Sequence, residues 1–133
     1  MMTSHFSLKA ARIIRDKIIS ENKKIKVKPG KCRWNYKCHI NAVHEATKHK
    51  HKKIAMVMYM FGNGTPIVHF INYKKGKFID NTLGEWCVQY DYYFIKFIDE
   101  EEFMNVGNIF DKYRAHLQDC LPPLTKFFNN ESF

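Results

Sequence analysis

"TPIVHFINYKKGKFIDNTLG", residues Thr65 to Gly84, runs from one apolar segment through a lysine-rich reversal into another. "PIVHFINY" and "KFID" read as strands, because β-branched and aromatic side chains fit a pleated, half-buried surface. "KKGK" between them turns the chain back on itself as a hairpin. The hairpin carries one histidine, His69, and one aspartate, Asp80. A turn of even length, either Lys75-Gly76 or Lys74 to Lys77, makes the paired positions sum to 151. His69 then lies diagonal to Asp80 on one face, within reach of a carboxylate-to-imidazole contact. A three-residue turn without a bulge would put them on opposite faces, so the sequence permits the pair without requiring it.

Outward from the hairpin, "IAMVMYMF" (54–61) reads as a fully buried strand and "YDYYFIKFI" as a further strand. On the N-terminal side, Ser4 can cap a helix running to about Asn22, with Phe6, Ala10, Ile13, Ile14 and Ile18 at helical spacing. "KKIKVKPGK" breaks that helix, with Pro29-Gly30 as a turn. A second helix opens near Cys38 after the loop "KCRWNY", packs through Ala42, Val43 and Ala46, and ends at "HKHKK", where cations suit the helix dipole. Asp99 and the glutamates after it read as a capping box for a last helix carrying Phe103, Val106, Phe110 and Leu117. Pro122-Pro123 stops it, and the tail is either docked by Phe127 and Phe128 or loose. The expected class is α+β, with helices packed on an antiparallel sheet. The expected layout is one domain: helix and basic loop over 1–31, a core over 32–98, a helix over 99–121 and a tail over 122–133.

The chain has 133 residues, 45% hydrophobic and 15% aromatic, which argues for a folded globule. The apolar run 54–61 is far too short to span a bilayer, and the N-terminus has no charged leader followed by an apolar stretch. A cytoplasmic setting with four reduced cysteines is therefore expected. Abundant Lys, Asn, Ile and Phe suit an AT-rich genome, such as a viral one. Residues 1–53 hold 15 Lys/Arg against 3 Asp/Glu, a net +12, while residues 54–133 hold 7 against 10, a net −3. The basic half reads equally as a solvated face and as a surface for phosphates or acidic proteins. No aromatic interleaving of the kind that stacks bases accompanies the lysines, so nucleic-acid binding is expected to be weak and non-specific.

A carboxylate behind an imidazole fixes its tautomer and stabilises the imidazolium, leaving the other nitrogen to serve a nucleophile. Ser4, Ser7 and Ser20 all lie on the first helix, out of position for that part. Cys38 stands where a loop becomes a helix, and both the helix N-terminus and a nearby imidazolium favour its thiolate. The plainer reading is a buried structural cysteine, a satisfied strand histidine and a strand-ending Asp80-Asn81 turn. "KCHINAVHEA", "TPIVHFINYKKGKFIDNTLG" and "YDYYFIKFI" together resemble the papain-like thiol superfamily in its small transglutaminase-like form, over about residues 32–98. The resemblance implies a helix packed on an antiparallel sheet, with Cys38 as nucleophile, His69 as base and Asp80 as the orienting residue. Papain-like proteases often carry a glutamine upstream of the cysteine as an oxyanion donor. Here that stretch reads "CRWNY", and Asn35 is the candidate donor beside the Cys38 backbone amide.

Trp34 and Trp86 are candidates for groove walls, with core packing as the alternative. Cys32, Cys38, His39 and His44 lie close together and His49 and His51 follow, but the spacing misses the paired pattern of a structural zinc site. No metal and no cofactor are expected. The expected function is a thiol hydrolase or acyl transferase acting on an amide or acyl bond of a protein or peptide substrate, with acidic substrates suited to the basic half. The alternative is a non-catalytic basic module for nucleic acid or an acidic protein.

Overall fold

The computed structural model describes residues 5–33, 37–49, 52–61, 64–129 and 133. Along the chain come α1 (His5–Glu21), β1 (Lys24–Ile25), β2 (Val27–Pro29), α2 (Cys38–Lys48), β3 (Lys53–Met60) and β4 (Pro66–Lys74). There follow β5 (Lys77–Asp80), a 3-10 turn (Gly84–Gln89), β6 (Asp91–Ile98), a second 3-10 turn (Glu100–Asn105), α3 (Val106–Asp119) and α4 (Pro123–Phe128). The class is α+β, with six strands in the order β1-β6-β3-β4-β5-β2.

The sheet closes on itself. β1 and β2 are separated by Lys26 alone, yet they pair with opposite ends of the row, β1 with β6 and β2 with β5. A single residue spans about 3.3 Å, so the two edges must meet. β5 and β6 stand three places apart in the row, which in a flat sheet is roughly 14 Å. The rings of Phe78 and Phe94 on those strands nevertheless lie 5.8 Å apart, centroid to centroid. Residues 24–29 thus act as one bent stave shared by both edges, and the staves number five. Strands of alternating direction cannot close around an odd count, so one neighbouring pair must run parallel. That pair is β2 with β5; the other four are antiparallel. The expected purely antiparallel sheet is therefore corrected to a mixed one, and the expected basic loop at 23–31 forms its seam.

Period-two alternation divides the core into two layers. Ile54, Met56 and Met58 of β3 and Val68 and Phe70 of β4 face outward, under Ala10, Ile14 and Ile18 of α1, Ala42 and Ala46 of α2 and Leu117 of α3. Ala55, Val57, Ile71 and Tyr92 face inward, together with Cys87 from the first 3-10 turn. His69 pairs with Val57 and so shares the inner face. Ile54 to Met58 are buried on both faces for this reason. Tyr59 and Met60 are half-buried and Phe61 is exposed, so the expected fully buried strand holds only over its first five residues.

Three expectations at the ends change. Ser4 lies outside the described residues. Asp99 makes no capping bond through its side chain, and the glutamates form a 3-10 turn before α3 begins at Val106. The tail forms α4, docked by buried Leu121, Thr125 and Phe133, while Phe127 is 80% exposed. No helix among the described residues is long and apolar enough to cross a membrane.

Candidate active site

The hairpin turns through two residues, Lys75 (φ 51°) and Gly76 (φ 79°), both left-handed as a twist-matched hairpin turn requires. Lys74 pairs with Lys77, Tyr73 with Phe78 and Asn72 with Ile79, each pair summing to 151. His69 and Asp80 accordingly share the inner face, with His69 Nε2 2.8 Å from Asp80 Oδ2. Both side chains are buried.

Asp80 ends β5, and its carboxylate organises the turn after it. The backbone N–H groups of Thr82 and Leu83 both donate to Oδ1 at 2.8 Å. The Tyr92 hydroxyl donates to Oδ2 at 2.7 Å. The carboxylate thus has about as many donors as acceptor sites, which is how a buried anion is stabilised.

The chain leaving β2 runs alongside that turn and delivers α2 to it. Gly30 N–H donates to the Asp80 carbonyl at 2.9 Å, Lys31 N–H to Asn81 Oδ1 at 3.1 Å and Arg33 N–H to the Thr82 carbonyl at 2.7 Å. Side-chain amides then pin the helix. Asn72 donates to the Ala42 carbonyl at 3.0 Å, Asn81 to Asn72 Oδ1 at 3.0 Å and Asn41 to Thr82 Oγ1 at 2.9 Å. Cys38, Asn41, Ala42, Glu45 and Ala46 form the buried stripe of α2 at helical spacing. Cys38, the first residue of the helix, is brought close enough to the His69 and His39 rings and the Phe70 backbone N–H for each to favour its thiolate. With His69 Nε2 on Asp80, Nδ1 is the nitrogen left for the sulfur.

Burial opposes ionisation of the Cys38 thiol. The His69 charge, hydrogen bonds from His39 and His69, and the Phe70 N–H outweigh it and bring the thiol down to about 6. Burial likewise opposes the His69 cation, and the Asp80 charge with the Cys38 thiolate raises the imidazole to about 10. Asp80 is held below the usual carboxylate range, against burial, by the His69 charge and its other donors. Both shifts run in the direction that favours thiolate and imidazolium, as does the partial positive charge of the α2 N-terminus.

The structure brings Cys38, His69 and Asp80 together. Trp34 and Asn35 lie outside the described residues. Trp86, 46% exposed, sits on the first 3-10 turn, which packs against β2. Four contributors were not anticipated: Tyr92, His39, the Phe70 N–H and the Asn72–Asn81 bridge. Asn72 was detectable, as a polar residue at an outward-facing core position of β4. His39 rests against Phe110 of α3, ring centroids 6.1 Å apart.

Part of the basic half is internal. Glu45, 1% exposed, accepts Lys31 at 2.8 Å, Lys52 at 3.0 Å and Arg33 at 3.2 Å. Burial would raise its carboxyl, but the lysine hydrogen bonds and charges bring it to about 2. By contrast, the Lys77 charge pulls Lys28 below its ordinary value at the β2–β5 edge. Among the described residues, no cluster of His, Cys, Asp and Glu is arranged to hold a metal ion. No protein-family model matches this chain, and no curated protein or solved structure is significantly similar to it.

Proposed function

We propose that the protein is a cysteine-dependent hydrolase or acyl transferase acting on an amide or related acyl bond, as a peptidase, deamidase or transglutaminase-like enzyme. The observation that carries this is the buried sequence of contacts from Cys38 at a helix N-terminus through His69 to Asp80, with His69 Nε2 2.8 Å from the carboxylate. A nucleophile-bearing helix laid on a curled sheet that supplies histidine and aspartate also agrees with the papain-like resemblance. In this reading the Cys38 thiolate attacks the acyl carbon. The leaving nitrogen takes the Nδ1 proton of His69, and a thioester remains. Water, or an amine in a transferase, then gives its proton back to His69 as it attacks the thioester and releases the thiolate.

The test is acylation by p-nitrophenyl acetate followed by mass-spectrometric mapping. One acetyl group on Cys38, lost in Cys38→Ser and slowed at least tenfold in His69→Ala, is the expected result. Equal labelling of Cys32 and Cys38 would reject the reading. A second reading, a basic surface for phosphates, has one observation in its favour: the side-by-side charges of Lys28 and Lys77. Affinity for single-stranded DNA that survives physiological salt and discriminates sequence would favour it. Binding that falls steeply with salt and ignores sequence would leave it a solvated face.

A further inference from the structure

Tyr92 is 1% exposed, and the mechanism above gives its hydroxyl no part. Phenylalanine would fill the same space on the inner face. The hydroxyl instead donates to Asp80 Oδ2 at 2.7 Å, the oxygen that faces His69 Nε2 at 2.8 Å. Oδ1 is already committed to the amides of Thr82 and Leu83. Two donors therefore share one oxygen, and charge drawn toward the phenol is charge withheld from the imidazolium.

We propose that Tyr92 is a positioning residue for the acyl-transfer site: by sharing Asp80 Oδ2 with His69 it limits the carboxylate's hold on the imidazolium and keeps the His69 proton transferable. This deepens the proposed function and rests on it. The chemistry needs a compromise. An imidazolium held too tightly keeps the thiolate ready but gives its proton reluctantly when the C–N bond breaks and the nitrogen must leave as an amine. His69 already sits high for a general acid, because Asp80 and the thiolate both favour its cation. Removing the Tyr92 hydroxyl would shift it further in that direction.

The groups around this centre arrive from both faces of the sheet. Cys38 and His39 come from α2, Asp80 from β5, Tyr59 from β3 and Cys87 from the first 3-10 turn. The Tyr59 ring stands edge-on to His69 at 5.0 Å. Cys87, pushed up to about 11 by burial and the Asp80 charge, stays neutral over the range of interest. His39 is raised by its hydrogen bond to Cys38 and more weakly by Asp111. Its titration is common to wild type and variants, so a difference between them isolates position 92.

The experiment follows the titration of the His69 ring by NMR in the wild-type chain and in Tyr92→Phe. The His69 midpoint should rise by about half a pH unit in the variant, because Asp80 Oδ2 then serves the imidazolium alone. Acetylation rates should split as well. The variant should match or exceed wild type with p-nitrophenyl acetate, whose leaving group departs as an anion. It should be several-fold slower with an acetyl anilide, whose leaving nitrogen requires a proton. A residue needed only for packing would move both rates together and leave the midpoint in place. 3-Fluorotyrosine at position 92 keeps the packing and the hydroxyl while strengthening the donor, so the His69 midpoint should fall; this arm decides the matter if Tyr92→Phe does not fold. Midpoints unchanged in the folded variants would overturn the role of Tyr92 alone. An ordinary midpoint in the wild type would overturn the proposed function beneath it.

Discussion

Replacing Asp80 by Asn tests how the site is held together, and its size follows from the geometry. Asn is nearly isosteric, and its carbonyl can still accept from the Thr82 and Leu83 amides. The atom facing His69 and Tyr92 becomes an NH2 group. His69 Nε2 must then accept rather than donate, so the ring carries its proton on Nδ1 and the imidazolium loses its counter-ion. Asp80 and Cys38 together raise His69 from 6.5 to about 10, against burial. That shift corresponds to about 5 kcal/mol of differential interaction. Taking away one of the two anions should cost about 3 kcal/mol of folding stability near neutral pH, in the range for an orphaned buried charge. Urea denaturation of wild type and variant, with slopes checked for equality, measures it. The pH dependence carries a sign. The raised histidine stabilises fully below 6.5 and loses its contribution as pH rises through about 10. The depressed Asp80 stabilises above 3.8 and loses its contribution as pH falls through its folded value. The wild-type advantage should therefore be greatest between those unfolded-state values and shrink on either side. A loss under about 0.5 kcal/mol, or a gap that does not change with pH, would refute the assignment of a buried ion pair.

Glu45→Gln should lose about 3 kcal/mol at neutral pH, since a carboxyl lowered from 4.5 to about 2 stabilises above the first value and loses that contribution as pH falls toward the second. Acid titration of the circular dichroism signal should show the wild-type advantage disappearing between those values. Gly30→Ala should cost about 2 kcal/mol by overpacking, because its Cβ would overlap Asn81 Oδ1 and stand 2.9 Å from the Asp80 carbonyl oxygen; a thermal melt unchanged by the substitution would contradict the close approach.

The hairpin was legible because turn chemistry and alternation act locally. The sequence left the register open between even and odd turns; the two-residue turn Lys75-Gly76 in the structure settles it, and with it that His69 and Asp80 share a face. Cys38 at a helix start was legible for the same reason, since "KCHINAVHEA" has its apolar residues at helical spacing. The seam at 24–29 was not. Lysines alternating with Ile25 and Val27 beside Pro29-Gly30 read as a basic turn, and only the closure of an odd-staved sheet makes that segment extended and one of its pairings parallel. Tyr92 was hidden similarly: in "YDYYFIKFI" every residue but Asp91 and Lys96 is aromatic or aliphatic, and which tyrosine meets Asp80 depends on strand β6 curling round to face β5. Glu45 was not singled out in the sequence. Its burial depends on Lys31, Arg33 and Lys52 converging from loops on either side.

The measurement that bears most directly on the central claim is the pH dependence of Cys38 alkylation in the wild-type chain, mapped by mass spectrometry alongside the other three cysteines. A thiolate held by the His69 imidazolium should react with a midpoint near pH 6, while Cys87, pushed up by burial to about 11, stays silent through neutral pH. Replacing His69 by Ala should abolish the low midpoint and leave a buried, slowly reacting thiol. A Cys38 rate that rises only above pH 8 and is indifferent to His69 would contradict the account.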